Sequence, residues 1–372
     1  MKIAIWGAGK FGRYIANQLV TREDVEIVGF IDSDRQIVGK KVDGFEVMTL
    51  LQMQEQQVDF MLIAIVDYLS VLAQFRQEDA AKMGIIKANV YRLKQKLSEN
   101  IFEDDNIVWL KNIDVNKPVL HHLETNIVDN CNLNCRGCSH FSNLFAHDEH
   151  VLLETFCRDL RQIAEHTFVA HFYLLGGEPL LCEQLTDYIE FARKELPLSV
   201  IEIVSNGLLI PKQSEKFFDC CRKNDILFSI TAYPPTLAMK EKIVQTLEDN
   251  KIKYVFRQDV LDFGKNIDLQ GKANPKEAYK RCRESECHFF RNGKLHKCPF
   301  EALGNHLFKH YDVDIRFDGG ADIYDPELSW EKLVKALDEE PVDACCYCGE
   351  EERMDWKVEY QPKLEDWVIN KL

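Results

Sequence analysis

The sequence predicts an α/β protein of three parts, and three observations lead to this fold class. A short apolar run at residues 2–6 (KIAIW) enters a glycine turn, a helical pattern and a second apolar run. Strand-like and helix-like segments alternate again from about residue 121 to 258, and all thirteen cysteines lie from residue 131 onward. We therefore expect a parallel sheet over residues 1–115, a partial (β/α) barrel over 116–275 and a small cysteine-rich domain over 276–372.

Composition and charge exclude several broad classes of protein. The chain has 372 residues, 46% of them hydrophobic, and a formal net charge of −15. This charge argues against general nucleic-acid binding, which relies on basic patches that meet phosphates. The sequence has no apolar run of about 20 residues and no signal-peptide pattern at its start. We expect a cytoplasmic protein with no membrane partner.

The N-terminal turn has the spacing of a dinucleotide-binding fingerprint. Gly7, Gly9 and Gly12 stand between a strand-like run and a helical pattern, and Asp32 ends the next strand-like run. Such glycines allow a backbone to approach a phosphate, and a carboxylate at this place can bind a ribose hydroxyl. The alternative is that the glycines serve only the fold.

The segment FIDSD and the turn at Gly44 resemble the Rossmann-like domains of sugar-biosynthesis enzymes, including nucleotide-sugar acyltransferases. The resemblance implies a nucleotide or nucleotide sugar as ligand rather than NAD, so that a redox role does not follow for this part of the chain.

A compact cysteine motif follows the strand-like run HLETNIVDN. Cys131, Cys135 and Cys138 have the spacing C-x3-C-x2-C, so that three thiolates can hold three irons of a [4Fe–4S] cluster and leave the fourth iron open. Structural zinc usually takes four ligands in paired knuckles, which this motif lacks. An open iron can chelate S-adenosylmethionine (SAM), and an electron passed to its sulfonium yields a 5′-deoxyadenosyl radical.

At this point the sequence resembles the radical SAM superfamily, over about residues 118–348. Gly176, Gly177, Glu178 and Pro179 match the family's GGEP motif, which implies that they hold the methionyl amino group of SAM. A weaker match at Ser205-Asn206-Gly207 implies a further contact with SAM. In partial barrels such sites lie at the carboxyl ends of the strands, where these motifs fall.

One position departs from the family's pattern. The residue before the third cysteine is often aromatic in the family, whereas here it is Gly137. The ring that packs on adenine must therefore come from elsewhere, and Phe141 or His140 in the segment SHFS is the expectation.

The C-terminal part carries a second set of cysteines. Cys282, Gly293 and Cys298 form C-x10-G-x4-C, and Cys345 and Cys348 form a distant C-x2-C. Two separated pairs can bind one zinc ion as a zinc ribbon.

Within a radical SAM chain, this spacing resembles the twitch form of the SPASM extension. As in 2-deoxy-scyllo-inosamine dehydrogenase, the resemblance implies that Cys282, Cys298, Cys345 and Cys348 hold an auxiliary [4Fe–4S] cluster. Cys287 and Cys346 are near enough in sequence to compete for two of these places.

The resemblance implies an enzyme that needs two [4Fe–4S] clusters, SAM and a reducing partner such as flavodoxin or ferredoxin. We expect it to abstract hydrogen from a small polar molecule, a sugar or nucleotide sugar, with oxidation or epimerisation as the outcome. Two alternatives remain at the level of sequence: a radical SAM enzyme that modifies peptides, and a non-catalytic, zinc-stabilised regulatory protein. The sequence assigns no catalytic side chain.

Overall fold

The computed structural model describes residues 1–65, 82–86, 107–109, 117–145 and 151–370. The chain divides into two compact units, Met1–Lys117 and Pro118–Leu372. The expected boundary at residues 115/116 lies outside the described residues. Each unit contains a sheet made largely of parallel strands, which confirms the predicted α/β fold class. Among the described residues, none of the helices has the length and apolar character needed to span a lipid bilayer.

The first unit is built on one sheet with the strand order β3-β4-β2-β1-β5-β6-β7. Strands β1, β2, β4, β5 and β6 are parallel where they pair, and β3 and β7 are antiparallel to their neighbours. The strands are β1 Lys2–Trp6, β2 Glu26–Ile31, β3 Lys41–Val42, β4 Phe45–Met48, β5 Phe60–Ile63, β6 Met83–Ile86 and β7 Ile107–Trp109, and the helices are α1 Lys10–Leu19 and α2 Leu50–Gln54.

The core of this unit forms because one face of α1 is apolar. Ile15 and Leu19 lie one turn apart and pack with Ile3 and Ile5 of β1, and all four are buried. The sequence predicts a third strand from Asp59, which is β5. It also predicts a further helix and strand through Tyr91. That strand is β6, whereas the predicted helix falls on residues outside those that the structure describes.

The second unit is built on an eight-stranded sheet of order β12-β11-β10-β9-β8-β14-β15-β16. Strands β8 to β12 are parallel, and helices connect β9 to β12 in sequence, as expected for a partial (β/α) barrel. These strands are β8 Val119–Val128, β9 Phe168–Gly176, β10 Val200–Ser205, β11 Leu227–Ala232 and β12 Lys253–Asp259, and the helices are α3 Leu153–His166, α4 Leu185–Glu195, α5 Glu215–Lys223, α6 Pro234–Ala238 and α7 Lys240–Asp249.

Alternation along each strand gives this sheet two different faces. Leu123, Phe172, Ile203 and Phe228 belong to one buried cluster with apolar residues of the surrounding helices. Because successive side chains of a strand point to opposite faces, the neighbouring positions point away from the helices. We call this second side the inner face, and its middle positions are Glu124, Tyr173, Glu202, Ser229 and Arg257.

Residues 276–372, which the sequence sets apart as a small domain, share this compact unit with the barrel. Strand β14 pairs in parallel with β8 and thereby extends the sheet, while β13 and β17 form a separate antiparallel pair. The remaining elements are β13 Asp262–Ile267, α8 Pro275–Arg281, β14 His288–Arg291, β15 Lys294–His296, α9 Pro299–His310, β16 Ala321–Asp322, α10 Trp330–Glu339 and β17 Cys348–Asp355.

Candidate functional site

The first cysteine motif lies on the loop directly after β8. Cys131, Cys135 and Cys138 lie close enough together that the charge of one thiolate raises the pKa of another. Burial is the larger cause, and it raises the pKa of Cys131 to about 12 and that of Cys135 above its usual range. Buried thiols of this kind stay protonated until a cation compensates their charge, so this donor set suits a metal cluster that binds thiolates.

Two neighbouring side chains donate towards these sulfurs. Nδ2 of Asn206 lies 3.8 Å from Sγ of Cys131 and donates to Oδ1 of Asn132 at 2.7 Å. Nε1 of Trp356 donates to Sγ of Cys135 at 3.2 Å. Asn206 was expected from its motif, whereas Trp356 lies 221 residues from Cys135 and was not. N–H groups near thiolate sulfurs tune the reduction potential of a bound cluster.

The Gly-Gly-Glu-Pro segment ends β9 beside the cysteine loop. A Cβ on Gly176 would lie 2.0 Å from the carbonyl oxygen of Val128, and one on Gly177 would lie 2.0 Å from that of Asn130. Because the glycines leave this space free, the backbone N–H groups of Gly177 and Glu178 donate to these two carbonyls at 2.9 and 3.1 Å. The glycines thus dock the end of β9 against the start of the cysteine loop.

Glu178 is completely buried, and its carboxylate joins the end of β9 to the end of β10. Its Oε1 accepts from Oγ of Ser205 at 2.8 Å and from the backbone N–H of Leu180 at 3.1 Å, while Oε2 accepts from the backbone N–H of Asn206 at 2.9 Å. Burial raises the pKa of Glu178 to about 7, although these hydrogen bonds oppose the rise. Its charge also raises the pKa of Cys131. The structure therefore brings the GGEP and SNG segments together at the cysteine loop.

Residues 356–367, which we call the C-terminal strap, cover the other side of this loop. The backbone N–H of Arg136 donates to the carbonyl of Lys357 at 2.9 Å, and Nε of Arg136 lies 2.6 Å from Oδ1 of Asp366. Nε1 of Trp367 donates to the carbonyl of Cys138 at 2.8 Å. The strap therefore holds the backbone of the loop at Arg136 and at Cys138.

The strap explains why Gly137 stands where an aromatic residue was expected. Gly137 has a φ of +65°, and a Cβ there would lie 2.7 Å from the carbonyl oxygen of Asp366 and 2.2 Å from Cε of Met354. The backbone conformation and the packing of β17 and the strap both favour glycine.

The two rings that the sequence offered in its place contact protein. Phe141 is 2% exposed and packs on Trp367 with ring centres 6.0 Å apart. Nδ1 of His140 lies 3.0 Å from Oδ1 of Asn126, and burial lowers the pKa of His140 to about 4.

A different aromatic pair lies over the cysteines. Tyr233 follows β11, and its ring stacks on Trp356 with ring centres 5.9 Å apart. Burial raises the pKa of Tyr233 well above its usual range, and the charges of Cys135, Cys138 and Cys131 add to the rise. Sequence reasoning missed Tyr233, for which the position directly after a barrel strand was the available signal.

The second set of cysteines lies around a cavity of about 520 Å³. Cys282, Cys298 and Cys348 line this cavity. Cys282 directly follows α8, Cys298 precedes α9, and Cys348 begins β17, so that three elements converge there. Burial raises the pKa of Cys348 to about 12, and the charges of Cys345 and Cys282 contribute.

Cys345 and Cys287 occupy different surroundings. The charge of Cys345 acts on both Cys282 and Cys348, which places it beside them. For Cys287, burial raises the pKa, and the next contribution comes from Glu124 on the inner face of the barrel. Cys346 is a direct neighbour of Cys345 and does not line the cavity. Within the ranges that the structure describes, no three His, Cys, Asp or Glu side chains are arranged to share a single metal ion.

A buried lysine lies beside these cysteines and was also missed by sequence reasoning. Lys297 is 2% exposed, and its Nζ lies 4.2 Å from the centre of the Tyr279 ring. Burial lowers the pKa of Lys297, whereas the charges of Cys345, Cys298 and Cys282 raise it. The only sequence signal was that Lys297 directly precedes Cys298.

The N-terminal glycine turn is held by contacts within its own unit. Oδ2 of Asp32 accepts from the backbone N–H of Ala8 at 2.9 Å. A Cβ on Gly12 would lie 1.7 Å from the carbonyl oxygen of Gly7, so the packing of α1 on the turn requires glycine at this position. Gly9 precedes α1, and a Cβ there would meet nothing within 4 Å. Oδ1 of Asp32 accepts from the backbone N–H of Asp34 at 3.0 Å. The fold by itself thus accounts for Gly12 and for a hydrogen bond to each oxygen of Asp32.

Comparison with known proteins assigns the central segment. Residues 123–230 match the family model described as a 4Fe-4S single cluster domain, and this range contains the three cysteines, Glu178 and Asn206. The three cysteines that were expected to hold a [4Fe–4S] cluster therefore lie within a segment that is similar to a single-cluster 4Fe-4S domain. Residues 1–90 match a second model, described as C2185-like, N-terminal.

Two similar proteins are described as GTP 3′,8-cyclases. That of Thermodesulfovibrio yellowstonii is 24% identical over 146 residues, which cover 38% of this chain and 40% of that protein. That of Heliobacterium modesticaldum is 28% identical over 95 residues, which cover 25% of this chain and 29% of that protein. The matches thus span less than half of either relative, and their activity is a property of those proteins.

Solved structures that match this chain include BtrN in complex with AdoMet and 2-DOIA, at 18% identity and a TM-score of 0.42, covering 63% of this chain and 94% of that one. Native anSMEcpe with bound AdoMet matches at 17% identity and a TM-score of 0.31, covering 37% of this chain and 43% of that one. UDP-D-quinovosamine 4-dehydrogenase from Vibrio fischeri matches at 21% identity and a TM-score of 0.22, covering 25% of this chain and 81% of that one.

Proposed function

We propose that this chain is a radical SAM enzyme that abstracts hydrogen from a sugar or nucleotide sugar and thereby oxidises or epimerises it. The observation that carries the proposal is the meeting of three thiols with Glu178 and Asn206 at the ends of adjacent parallel strands. An iron–sulfur cluster held by these thiols would supply the electron that cleaves SAM to a 5′-deoxyadenosyl radical.

The residues around the loop have separate roles in this proposal. Cys131, Cys135 and Cys138 hold the cluster. Glu178 fixes the segment that receives the methionyl group, because its carboxylate binds both Ser205 and the backbone of Asn206. For the adenine, we assign the aromatic contact to Tyr233 and Trp356, since both rings lie beside the cysteines. These two residues add to the SAM contacts that the GGEP and SNG motifs imply.

Cys282, Cys298, Cys345 and Cys348 hold an auxiliary [4Fe–4S] cluster in this proposal, in the manner of a twitch/SPASM extension. Three of the four line one cavity, and the fourth lies beside two of them. Four cysteine ligands would leave no iron open for substrate, so this cluster serves electron transfer with an external reductant such as flavodoxin or ferredoxin.

The test of the radical SAM assignment is anaerobic reconstitution followed by counting of iron and sulfide. We expect close to eight irons per chain and reductive cleavage of SAM to 5′-deoxyadenosine. Changing Cys131, Cys135 and Cys138 together to Ala should remove about half of the iron and all of the cleavage. The matched control changes Cys157, Cys182 and Cys220 to Ala, since these residues lie in or against the helix-side core. This control should keep both its iron and its cleavage of SAM. Cleavage in the first triple variant, or zinc in place of iron, would contradict the proposal.

The auxiliary site has its own test. Alanine at Cys282, Cys298, Cys345 or Cys348 should reduce iron by about half while some SAM cleavage remains, because the first cluster is intact. Cys287→Ala and Cys346→Ala are the matched controls and should retain the iron. The ligand set is wrong if either control loses the iron instead.

The stereochemical outcome can be read with candidate sugars in deuterated water. Epimerisation returns a hydrogen to the substrate and introduces solvent deuterium at the inverted carbon if the donor exchanges with water. Oxidation gives a product that is two hydrogens lighter. Mass spectrometry of the product therefore separates the two reactions.

For the N-terminal unit the proposal is a nucleotide-sugar site at the turn of Gly7, Gly9 and Gly12 with Asp32. The start of α1 has no side-chain cap, and a helix N-terminus attracts phosphate. Calorimetric titration of the full chain with UDP-, GDP-, CDP- and dTDP-sugars should show binding that Asp32→Asn weakens. Binding of NAD or NADP alone, or of none of these ligands, would contradict it.

A further inference from the structure

Glu124 is a buried carboxylate that no described residue satisfies. It lies on the inner face of β8 and is 7% exposed, and neither of its oxygens takes part in a hydrogen bond within the described ranges. The charged groups that act on it are Glu284, which opposes its ionisation, and Arg257, which favours it. A buried carboxylate without hydrogen-bond donors is unfavourable in general, so this position favours a ligand that supplies donors.

A second carboxylate lies at the same level of the barrel. In the strand register Glu124 is paired with Tyr173, and Tyr173 is paired with Glu202, so the three side chains form one row across β8, β9 and β10. Glu202 is also 7% exposed, and Nδ1 of His171 lies 3.5 Å from its Oε1 without forming a hydrogen bond. Two acceptor groups therefore flank one phenol on the inner face.

The cation near this row is already engaged. Nε of Arg257 donates to Oγ of Ser229 at 2.7 Å, and its guanidinium carbon lies 5.8 Å from the centre of the Tyr173 ring. Glu284 and Glu286 add negative charge around the row, next to Glu124 and His122 respectively. The inner face therefore holds more carboxylates than permanent cations.

Aromatic rings complete the surroundings. His122 stacks with Tyr173 at 6.0 Å, and His171 stacks with Tyr173 at 6.3 Å. Nδ1 of each histidine is buried without a hydrogen-bond partner. Burial and the charge of His171 lower the pKa of His122, which favours its neutral form.

We propose that Glu124, Glu202 and Tyr173 form the part of the substrate site that binds a protonated amine, so that the substrate is an amino compound such as an amino sugar. An ammonium group supplies three N–H donors and one positive charge, which are what this row lacks. The inference rests on the proposed function, because it assigns a substrate class to the barrel of that enzyme.

The experiment measures binding and requires no turnover. The anaerobically reconstituted full chain, with SAM and without reductant, is titrated by calorimetry with glucosamine, 2-deoxystreptamine and lysine amide. Each probe is paired with its N-acetylated form, which keeps the skeleton but removes the charge. We expect at least one amine to bind and its acetylated form to bind about tenfold more weakly or worse.

Variants locate the site. Glu124→Gln and Glu202→Gln should each weaken binding of that amine by about tenfold or more. The matched control is Glu165→Gln, which removes the same charge from the exposed surface of α3 and should leave binding unchanged. Iron content and melting temperature report whether each variant is folded.

Three results would overturn the inference: none of the amines binds, the acetylated forms bind equally well, or Glu124→Gln binds the amine as the parent does. The cleavage of SAM by the same preparation is scored separately. If SAM is cleaved but no amine binds, the substrate class is wrong and the proposed function stands. If an amine binds at Glu124 but SAM is not cleaved, the amine site stands and the proposed radical SAM function is wrong.

Discussion

At the scale of single residues, the indole of Trp356 is the contact that most directly adjusts the proposed SAM cluster. Its Nε1 donates to Sγ of Cys135 at 3.2 Å. Hydrogen bonds to a cysteine sulfur disperse its negative charge and raise the reduction potential of a bound cluster.

We therefore expect Trp356→Phe, which keeps an aromatic ring and removes the N–H donor, to lower the potential of this cluster. A redox titration followed by electron paramagnetic resonance measures the shift. Trp330→Phe is the control, because Trp330 stacks on His166 on the helix side of the barrel. An unchanged potential in Trp356→Phe would show that the hydrogen bond is not made in the loaded protein.

Glu124 gives a second prediction at this scale, one that concerns stability. Burial raises the pKa of Glu124 to about 8, with Glu284 adding to the rise and Arg257 opposing it. The folded protein therefore holds this proton more tightly than the unfolded chain does. The advantage is complete below the pKa of the unfolded chain and is lost as pH rises towards about 8.

Glu124→Gln should accordingly gain stability relative to the parent as pH rises, by an amount on the order of a few kcal/mol. Thermal melting of both proteins between about pH 5 and about pH 9 measures the difference, which should be smallest at the acidic end. A difference that does not vary with pH would mean that Glu124 ionises normally in the folded protein.

At the scale of elements, the docking of β9 on the cysteine loop depends on the absence of side chains at two positions. Gly177→Ala would place a Cβ 2.0 Å from the carbonyl oxygen of Asn130, and backbone atoms cannot yield as a flexible side chain does. We expect a loss of about 1–3 kcal/mol, the usual range for forced overpacking, together with loss of iron from the first site.

Gly9→Ala is the matched control, since a Cβ at Gly9 meets nothing within 4 Å and its φ is −73°. Chemical denaturation and iron analysis of the two variants make the comparison. Equal stability of Gly177→Ala and the parent would show that the end of β9 can move away from the loop.

The buried amine of Lys297 leads to a prediction about the reduction potential of the auxiliary cluster. Its charge lies near Cys345, Cys298 and Cys282. A positive charge beside a cluster favours the reduced state, so Lys297→Met should lower the potential of the auxiliary cluster and leave that of the first cluster unchanged. The same redox titration resolves both signals, and a shift confined to the first cluster would contradict the placement of Lys297.

At the scale of the whole second unit, the C-terminal strap joins the end of the chain to the first cysteine loop. The ion pair of Arg136 with Asp366 spans 230 residues, and Oδ2 of Asp366 also accepts from the backbone N–H of Lys363. Asp366→Asn removes the charge that holds the strap on the loop. Hydrogen bonds to charged groups contribute about 1.5–3 kcal/mol, so we expect a loss of this order.

The functional consequence is faster loss of iron when the reconstituted protein is exposed to air, followed by its visible absorbance. Glu359→Gln is the control, because its ion pair with Lys357 lies on the same strap but is exposed to solvent and contributes little. Equal rates of iron loss in Asp366→Asn and the parent would show that the strap does not protect the loop.

The sequence by itself determined the α/β class and supplied the cysteine and GGEP motifs on which the radical SAM proposal depends. These depend on short segments: the three cysteines fall within eight residues, and the GGEP segment directly follows the apolar run of its strand. Spacing along the chain is sufficient to predict the cluster ligands because one loop can supply all three cysteines. The partners of Glu178 were foreseeable for the same reason, since parallel strands place their carboxyl ends at one edge of a sheet.

Only the tertiary structure decided which distant residues complete the site. Trp356 and Trp367 reach the cysteine loop from more than 200 residues away. The row of Glu124, Tyr173 and Glu202 exists because register aligns three strands that are separate in sequence. Spacing along the chain carries no information about such contacts. They depend on how β14 joins β8 and how the strap folds back, which packing of the whole unit determines.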